Sequence, residues 1–133
     1  MEIFIAEEKD YESITNLYYD LYLDKKNNIK YFDGVHFESR IFMAKADNKS
    51  VGFIITTCVY YSASKVGYIE ELFVSDGFRN AGIGQKLVEK AIDWQKSINS
   101  EVVFVTTDEA QEFYKKFGFR ELRKNSWLCL PLV

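Results

Sequence analysis

An arginine and two glycines in the middle of the chain have the spacing of an anion-binding turn. They form Arg79-Asn-Ala-Gly82-Ile-Gly84, which lies between a strand-like run, Tyr68 to Val74, and a helical pattern. The first turn of a helix leaves N–H groups without internal partners and carries partial positive charge. Glycines at 82 and 84 let a phosphate approach those N–H groups, and Arg79 adds a full charge with several donors. The segment therefore predicts a phosphate site at a helix N-terminus.

The spacing of this turn differs from two common phosphate-binding loops. No Gly-Lys-Ser/Thr follows it, as a Walker loop requires. The residue three positions after Gly84 is Leu87, so the dinucleotide pattern G-x-G-x-x-G is absent as well. On these residues alone, an ordinary strand–turn–helix with glycines at the helix start stays open as the alternative.

Strand-forming residues recur in short runs along the chain, either alternating with polar residues or continuously apolar. The runs lie at 2–6, 42–46, 51–59, 68–74, 101–106, 119–123 and 126–130. Turn residues 47–50 join the second run to the third as a hairpin. The near-continuous apolar run 101–106 is typical of a buried parallel strand.

Apolar residues at helical spacing predict helices between these strands. The first spans residues 11–23 and the second spans residues 83 to about 97. A short third helix follows Asp108, its expected N-cap, and ends at Gly118. Residues 24–40 predict only a short helix or a docked loop.

Length and composition indicate one ordinary globular domain. The 133 residues include 47% apolar and 28% charged residues, and 17 basic against 20 acidic side chains give a net charge of −3. Such a chain can bury a core without staples. Because its balance is acidic, we expect neither nucleic acid nor an anionic membrane as a partner.

Several further features indicate a cytoplasmic protein without a metal. Met1-Glu2 lacks a basic leader region, and no apolar run approaches about 18 residues. Cys58 and Cys129 lie in apolar runs and are predicted to be buried free thiols. No His, Cys, Asp or Glu cluster has metal-ligand spacing, so no metal is expected.

A second motif lies in the third predicted helix and extends just past its end. Ala110-Gln-Glu-Phe-Tyr-Lys-Lys-Phe-Gly-Phe119 fits the pattern Ala-x-x-Phe/Leu-Tyr-x-x-x-Gly-Phe. Together with the Arg79–Gly84 turn, Val51-Gly-Phe53 and the order of elements, it resembles the GNAT superfamily of acetyl-CoA-dependent N-acetyltransferases. The resemblance covers essentially the whole chain, residues 1–133, as one domain. It implies an α/β (α+β) fold with helices on both faces of a mixed, mostly antiparallel sheet, which splays between its fourth and fifth strands to admit acetyl-CoA.

The resemblance also implies catalytic roles. Tyr114 stands where similar enzymes place a tyrosine near the CoA sulfur, and it would protonate the departing thiolate; the alternative is a purely structural place on an aromatic helix face. Glu70 would be the base or a ligand of the acceptor amine. Because neighbouring residues of a regular strand point to opposite faces, Glu70 and Glu71 are not expected to share a role. Glu70 is favoured, but the choice depends on a strand bulge that the sequence does not locate.

Contacts to acetyl-CoA, the co-substrate, are implied by the same resemblance. The backbone of Leu72, Phe73 and Val74 would hydrogen-bond the pantetheine arm, and Tyr114 would lie near the sulfur. Thr107 stands where many relatives carry asparagine, which leaves the last pantetheine contact to a hydroxyl group. The pyrophosphate would be held by Arg79 and by the turn that follows it, Asn80, Ala81, Gly82, Ile83, Gly84 and Gln85.

The predicted reaction is direct acetyl transfer from acetyl-CoA to a primary amine. A small polyamine-like or amino-acid-like acceptor is the first hypothesis, and a peptide or protein N-terminus or a lysine side chain is the second. An open, shallow groove would favour the peptide, whereas a closed pocket lined by carboxylates would favour the small amine. A CoA-binding sensor without catalysis is the alternative from another class. His36 is interpreted as structural, with a role as a second acid/base or an acceptor contact as the alternative. A homodimer is compatible with the sequence, although no residue indicates one.

Overall fold

Three helices and four strands make up the part of the chain that this computed structural model describes, residues 1–21, 31–61, 64–121 and 130–131. The helices are α1 (Tyr11–Leu21), α2 (Ile83–Ser97) and α3 (Gln111–Lys115). The strands are β1 (Val35–Ala46), β2 (Lys49–Tyr61), β3 (Ser64–Val74) and β4 (Val102–Val105).

The strands form one mixed sheet in the order β1-β2-β3-β4. The first three strands are antiparallel, and β4 runs parallel to β3. Asp47 and Asn48 form the turn between β1 and β2 with positive φ angles of 51° and 63°. Positive φ at both positions is typical of the tight turn whose twist matches a hairpin. The predicted hairpin and the mostly antiparallel mixed sheet are confirmed.

Strands β3 and β4 pair along only part of their length. Their register runs from Val66 opposite Val102 to Ile69 opposite Val105, and residues 70–74 of β3 extend beyond it. The sheet therefore splays open at this point. These are the fourth and fifth strands of the predicted set, so the predicted splay is confirmed.

Helix α2 covers one face of the sheet. In the middle of β2 the residues at even positions are buried against this helix, including Ile54, Thr56 and Cys58, each 0% exposed. The residues at odd positions from 53 to 59 are only partly buried and lie on the opposite face. We call the face away from α2 the outer face. The core cluster consists of Ile54, Ile69, Leu87, Val88, Ala91 and Tyr114.

Helix α1 packs on the segment that precedes β1. The ring of Tyr11 meets that of Phe32 edge-on, with 4.9 Å between centroids. The hydroxyl of Thr15 accepts a hydrogen bond of 2.9 Å from the N–H of Phe32. These contacts confirm the predicted helix over its described residues, whereas 22 and 23 lie outside them.

The first predicted strand is wrong. Residues 1–7 form no regular element, and Ile3, Phe4 and Ile5 are 88%, 64% and 88% exposed. Alternating side chains favour a strand only where a neighbouring strand can pair with it. The sequence pattern shows the alternation of side chains, but it does not show whether a neighbouring strand is available for pairing.

Other predicted element boundaries also differ from those in the structure. Strand β1 begins at Val35, inside the segment that predicted a short helix or loop, and residues 119–121 belong to no strand. Asp108 does not cap α3. The N-cap position is Ala110, which has no side-chain cap, and the hydroxyl of Thr107 accepts a hydrogen bond of 3.0 Å from the N–H of Ala110 in the turn before the helix. The remainder of the last two predicted strands lies largely in residues 122–129, outside the described residues.

Candidate active site

The turn before α2 presents free backbone donors. Asn80 and Gly82 have positive φ angles of 65° and 79°. The first α-helical hydrogen bond of α2 runs from the N–H of Lys86 to the carbonyl of Gly82, at 3.1 Å. The N–H groups of the residues between them, 83–85, therefore have no acceptor within the helix. A side chain at Gly82 would meet nothing within 4 Å, so the space beside these donors is open.

Arg79 links this turn to the end of β3. Its Nε donates to the carbonyl oxygen of Val74 at 3.0 Å, and its Nη1 lies 2.9 Å from Oδ1 of Asp76. The guanidinium also lies 6.0 Å from the centre of the Phe73 ring. The side chain is 56% exposed, so it stabilises the turn while still facing solvent.

A cleft of about 230 Å³ opens where β3 and β4 separate. It brings together predicted residues from both halves of the chain, Glu70 and Leu72 of β3 with Thr107 and Tyr114 near α3. Phe73, Val74 and the residues of the Arg79–Gly84 turn are not part of its wall. The complete lining is Ile69, Glu70, Glu71, Leu72, Val105, Thr106, Thr107, Ala110 and Tyr114.

The cleft contains a strand bulge at Glu70. Ile55 of β2 lies opposite Glu71 and Thr56 lies opposite Ile69, so Glu70 has no partner in the register. Directly opposed residues share a face of the sheet. Because Ile55 lies on the outer face, Glu71 lies there too.

Glu70 also lies on the outer face. Its Oε1 accepts a hydrogen bond of 2.7 Å from the hydroxyl of Thr57, an outer-face residue. The bulge thus removes the alternation that would have separated the two glutamates. The expectation that they cannot share a face is wrong, and two adjacent carboxylates line one cleft.

Tyr114 is buried at the inner end of the cleft, with 6% exposure. Its ring contacts Phe113 and Phe119 edge-on, at centroid distances of 5.1 and 5.6 Å. Burial raises the pKa of its phenol above the ordinary value of 10.0, and the charge of Glu71 raises this pKa further. The phenol therefore keeps its proton at neutral pH, and aromatic packing and an acid role are compatible.

Two other residues singled out from the sequence, His36 and Cys58, lie outside the cleft wall. His36 stacks on Tyr60 at 5.4 Å and lies 3.4 Å from Asp33. Tyr60 pairs with Lys65, at the opposite end of β3 from the Arg79–Gly84 turn, and His36 is not among the residues that line the cleft. Cys58 is a buried free thiol, as predicted, and Cys129 lies outside the described residues.

Thr57, which sequence reasoning did not single out, donates a hydrogen bond to the Glu70 carboxylate. Glu71, considered from the sequence only as the alternative to Glu70, acts electrostatically on Tyr114. In the part of the chain that the structure describes, no three potential ligands gather to hold a metal ion. Nor do these residues include a helix of the length and apolarity needed to span a bilayer.

Comparison with known proteins gives a single family. The family model for the acetyltransferase (GNAT) domain matches residues 37–121. An uncharacterised N-acetyltransferase of Archaeoglobus fulgidus is 31% identical over 137 aligned positions, covering 90% of this chain and 93% of that protein. An uncharacterised N-acetyltransferase of Methanocaldococcus jannaschii is 36% identical over 91 positions, covering 63% of this chain. This match spans 40% of the length of the M. jannaschii protein.

The fold agrees with the family. An acetyltransferase from Clostridium acetobutylicum, solved with acetyl-CoA, superposes with a TM-score of 0.63 at 16% identity. The superposition covers 96% of this chain and 93% of that one. Sequence match, fold and the splayed cleft beside a glycine-bearing helix start agree, and the chain belongs to the GNAT family of acetyltransferases.

Proposed function

We propose that this chain transfers the acetyl group of acetyl-CoA to the primary amine of a small, cationic acceptor, polyamine-like or amino-acid-like. The observation that carries the proposal is the meeting of Glu70, Glu71 and Tyr114 in one cleft. Amine acetylation needs a proton acceptor for the amine and a proton donor for the leaving group. In the cleft, the carboxylates of Glu70 and Glu71 on β3 can accept a proton, and the phenol of Tyr114 on α3 can donate one.

Acetyl-CoA supplies the acetyl group as an activated thioester, and several groups of the chain fit it. Residues 72–74 of β3 extend beyond the register with β4, so their backbone can bind an extended pantetheine arm as a strand would. The N–H groups of residues 83–85 suit the pyrophosphate, with Arg79 beside them. The Thr107 hydroxyl already accepts a bond from Ala110, but it can still donate one to the pantetheine.

Glu70 is proposed as the group that accepts the proton of the amine. An ordinary alkylamine has a pKa near 10.4, so nearly all of it is protonated at neutral pH and cannot attack. Two carboxylates attract the ammonium, and one of them then removes a proton directly or through water. The hydrogen bond from Thr57 fixes the orientation of Glu70, which favours it as base, while Glu71 holds the ammonium.

Tyr114 is proposed as the proton donor. As the amine nitrogen bonds to the acetyl carbon, the carbon–sulfur bond breaks and the sulfur takes the phenolic proton. The carboxylate has already taken the first proton of the ammonium, and the second, lost by the nitrogen after its bond to the acetyl carbon forms, passes to water. Solvent then restores the proton of Tyr114 and takes up the proton of the carboxylate. The raised pKa of Tyr114 ensures that the phenol is protonated before each turnover.

A peptide acceptor has one observation in its favour. Glu70 and Glu71 are both exposed, so the acceptor side of the cleft is open to solvent and not closed around a small molecule. An N-terminal amine or a lysine of a larger partner could therefore reach the carboxylates. The N-terminus of a short peptide belongs in any acceptor panel for this reason.

Thermal unfolding with acetyl-CoA, run beside thiol release with an amine panel, tests the proposal. Ligand at about 100 times its dissociation constant adds roughly 2.7 kcal/mol to the free energy of unfolding. We expect a raised midpoint, thiol release with at least one amine class, and a fall in kcat of about 100-fold or more for Tyr114→Phe. A raised midpoint without turnover of any amine would indicate a sensor instead, and no rise would refute acetyl-CoA binding.

A further inference from the structure

The outer face beside the carboxylate pair is apolar and exposed. Phe37, Ile41 and Met43 of β1 are 73%, 62% and 58% exposed. Their cross-strand partners on β2 include Phe53, opposite Met43, and Ile55, opposite Ile41. We call these five residues the outer strip. Large apolar side chains clustered on a surface commonly mark a binding site.

The outer strip is continuous with the cleft. Ile41 pairs with Ile55, and Ile55 pairs with Glu71, so the three form one row across the sheet. Neighbouring strands are about 4.8 Å apart, which places the backbone of Ile41 about 10 Å from that of Glu71. A molecule whose ammonium binds the carboxylates can therefore lay its remaining atoms along this row.

The row offers no second site for a positive charge. Every outward residue of β1 from 35 to 43 and of β2 from 53 to 59 is uncharged. Glu38 belongs to the inner face, since it lies opposite the buried Cys58. A polyamine bound through one ammonium would leave its next ammonium against apolar side chains, which costs free energy.

We propose that the acceptor is a small monoamine with an apolar body, whose ammonium binds Glu70 and Glu71 and whose body lies on Ile55 and Ile41. The inference rests on the proposed acetyl transfer to a primary amine, and it replaces the polyamine-like acceptor of that proposal by a monoamine. It selects an alkylamine or arylalkylamine over a polyamine. The outer strip then determines specificity, while the carboxylates and Tyr114 carry the chemistry.

A series of linear amines tests this directly. Thiol release is measured with propylamine, butylamine, hexylamine and octylamine, and with diamines of the same lengths. Each buried methylene is expected to raise kcat/KM by about two- to fourfold until the strip is covered. The matched diamines are expected to gain much less, because their far ammonium must lose water. Equal or better rates with the diamines would overturn the proposal.

Substitutions in the outer strip test whether its side chains determine acceptor specificity. Ile41→Asn is expected to flatten the rise of kcat/KM with chain length, and Ile41→Leu to retain it. Ile5→Asn is the matched control, because Ile5 is 88% exposed and lies in a segment without regular structure. A slope that is unchanged in Ile41→Asn, or equally flattened in Ile5→Asn, would contradict the assignment.

The other possible outcomes distinguish a failure of the proposed acetyl transfer from a failure of the proposed acceptor class. If no amine releases thiol, acetyl transfer to amines itself fails and the inference fails with it. If short amines react but chain length has no effect, acetyl transfer stands and the strip has another role. Turnover confined to a peptide with an apolar first residue would assign the strip to a peptide. If Ile41→Asn alone converts a dimer into a monomer and the dependence of kcat/KM on amine length is unchanged, the outer strip binds a second copy of the chain instead of the acceptor.

Discussion

At the scale of single residues, the pKa of the Tyr114 phenol depends on its burial and on a neighbouring charge. Its pKa is raised first by burial and then by the charge of Glu71. The neutral phenol is therefore the form that folding favours. Its contribution to stability is fully present below the ordinary pKa of 10.0 and is lost as pH rises through the higher pKa of the folded state.

Glu71→Gln should shift the alkaline limit of activity to lower pH. The substitution removes one cause of the raised pKa of Tyr114, so the phenol loses its proton earlier, although burial still holds the pKa above 10.0. The measurement is the pH profile of kcat above pH 8. Glu109→Gln is the matched control, since Glu109 is an exposed carboxylate near α3 that is not among the groups that act on this phenol. Equal shifts in both variants would show that the limit does not report Tyr114.

At the scale of elements, backbone geometry decides what the cleft can hold. The bulge at Glu70 turns two neighbouring side chains to one face, and the early end of the β3–β4 register frees residues 70–74. The turn before α2 depends in the same way on Gly82, whose φ of 79° lies in the left-handed region. An L-residue with a side chain adopts that region at a cost of about 1 kcal/mol or more.

Gly82→Ala should therefore lower both stability and acetyl-CoA affinity. Nothing lies within 4 Å of the added methyl group, so the effect comes from the backbone and not from a collision. We expect a loss of about 1 kcal/mol in the free energy of unfolding, and a weaker midpoint rise with acetyl-CoA. Gly77→Ala, in the neighbouring turn and equally free of contacts, is the control and should alter neither quantity. An acetyl-CoA response in Gly82→Ala equal to that of the parent protein would exclude this turn from the site.

At the scale of the whole molecule, the sequence predicted those elements that depend on residues close together in the chain. The helix at 83–97, the hairpin and the parallel strand follow from periodicity and turn residues, and the splay followed from the family resemblance. The strand at 2–6 failed because pairing requires a neighbour that no local pattern records. The shared face of Glu70 and Glu71 was missed because a bulge depends on the register between two strands. The start of α3 after Ala110, two residues later than an N-cap at Asp108 would place it, is a difference that helical periodicity cannot resolve.

A buried polar network fastens α2 to the sheet. The amide nitrogen of Gln95 donates to the hydroxyl of Thr56 at 2.9 Å and to the carbonyl of Thr57 at 2.7 Å, and Gln95 is 1% exposed. The hydroxyl of Ser100 donates to the amide oxygen of Gln95. A Cβ at Gly67 would collide with the amide group of Gln95, so a larger residue there would displace that side chain. The network thus joins the helix layer to β2 directly beneath Thr57, the residue that holds Glu70 on the outer face.

Gln95→Leu should destabilise the whole domain. It keeps the side-chain volume but removes the amide that donates to the carbonyl of Thr57, and an unsatisfied buried group costs about 1–3 kcal/mol. The hydroxyl of Ser100 loses its bond to Gln95 and keeps its contact with the sulfur of Cys58. Urea unfolding should show a lower midpoint with an unchanged slope. Gln85→Leu on the same helix is the control, because its side chain is exposed and bonds only to Glu89 among the contacts that the structure describes, so its effect should stay within about 0.5 kcal/mol. If the two variants unfold at the same urea concentration, the network does not fasten the helix to the sheet, and apolar packing of Leu87, Val88 and Ala91 suffices.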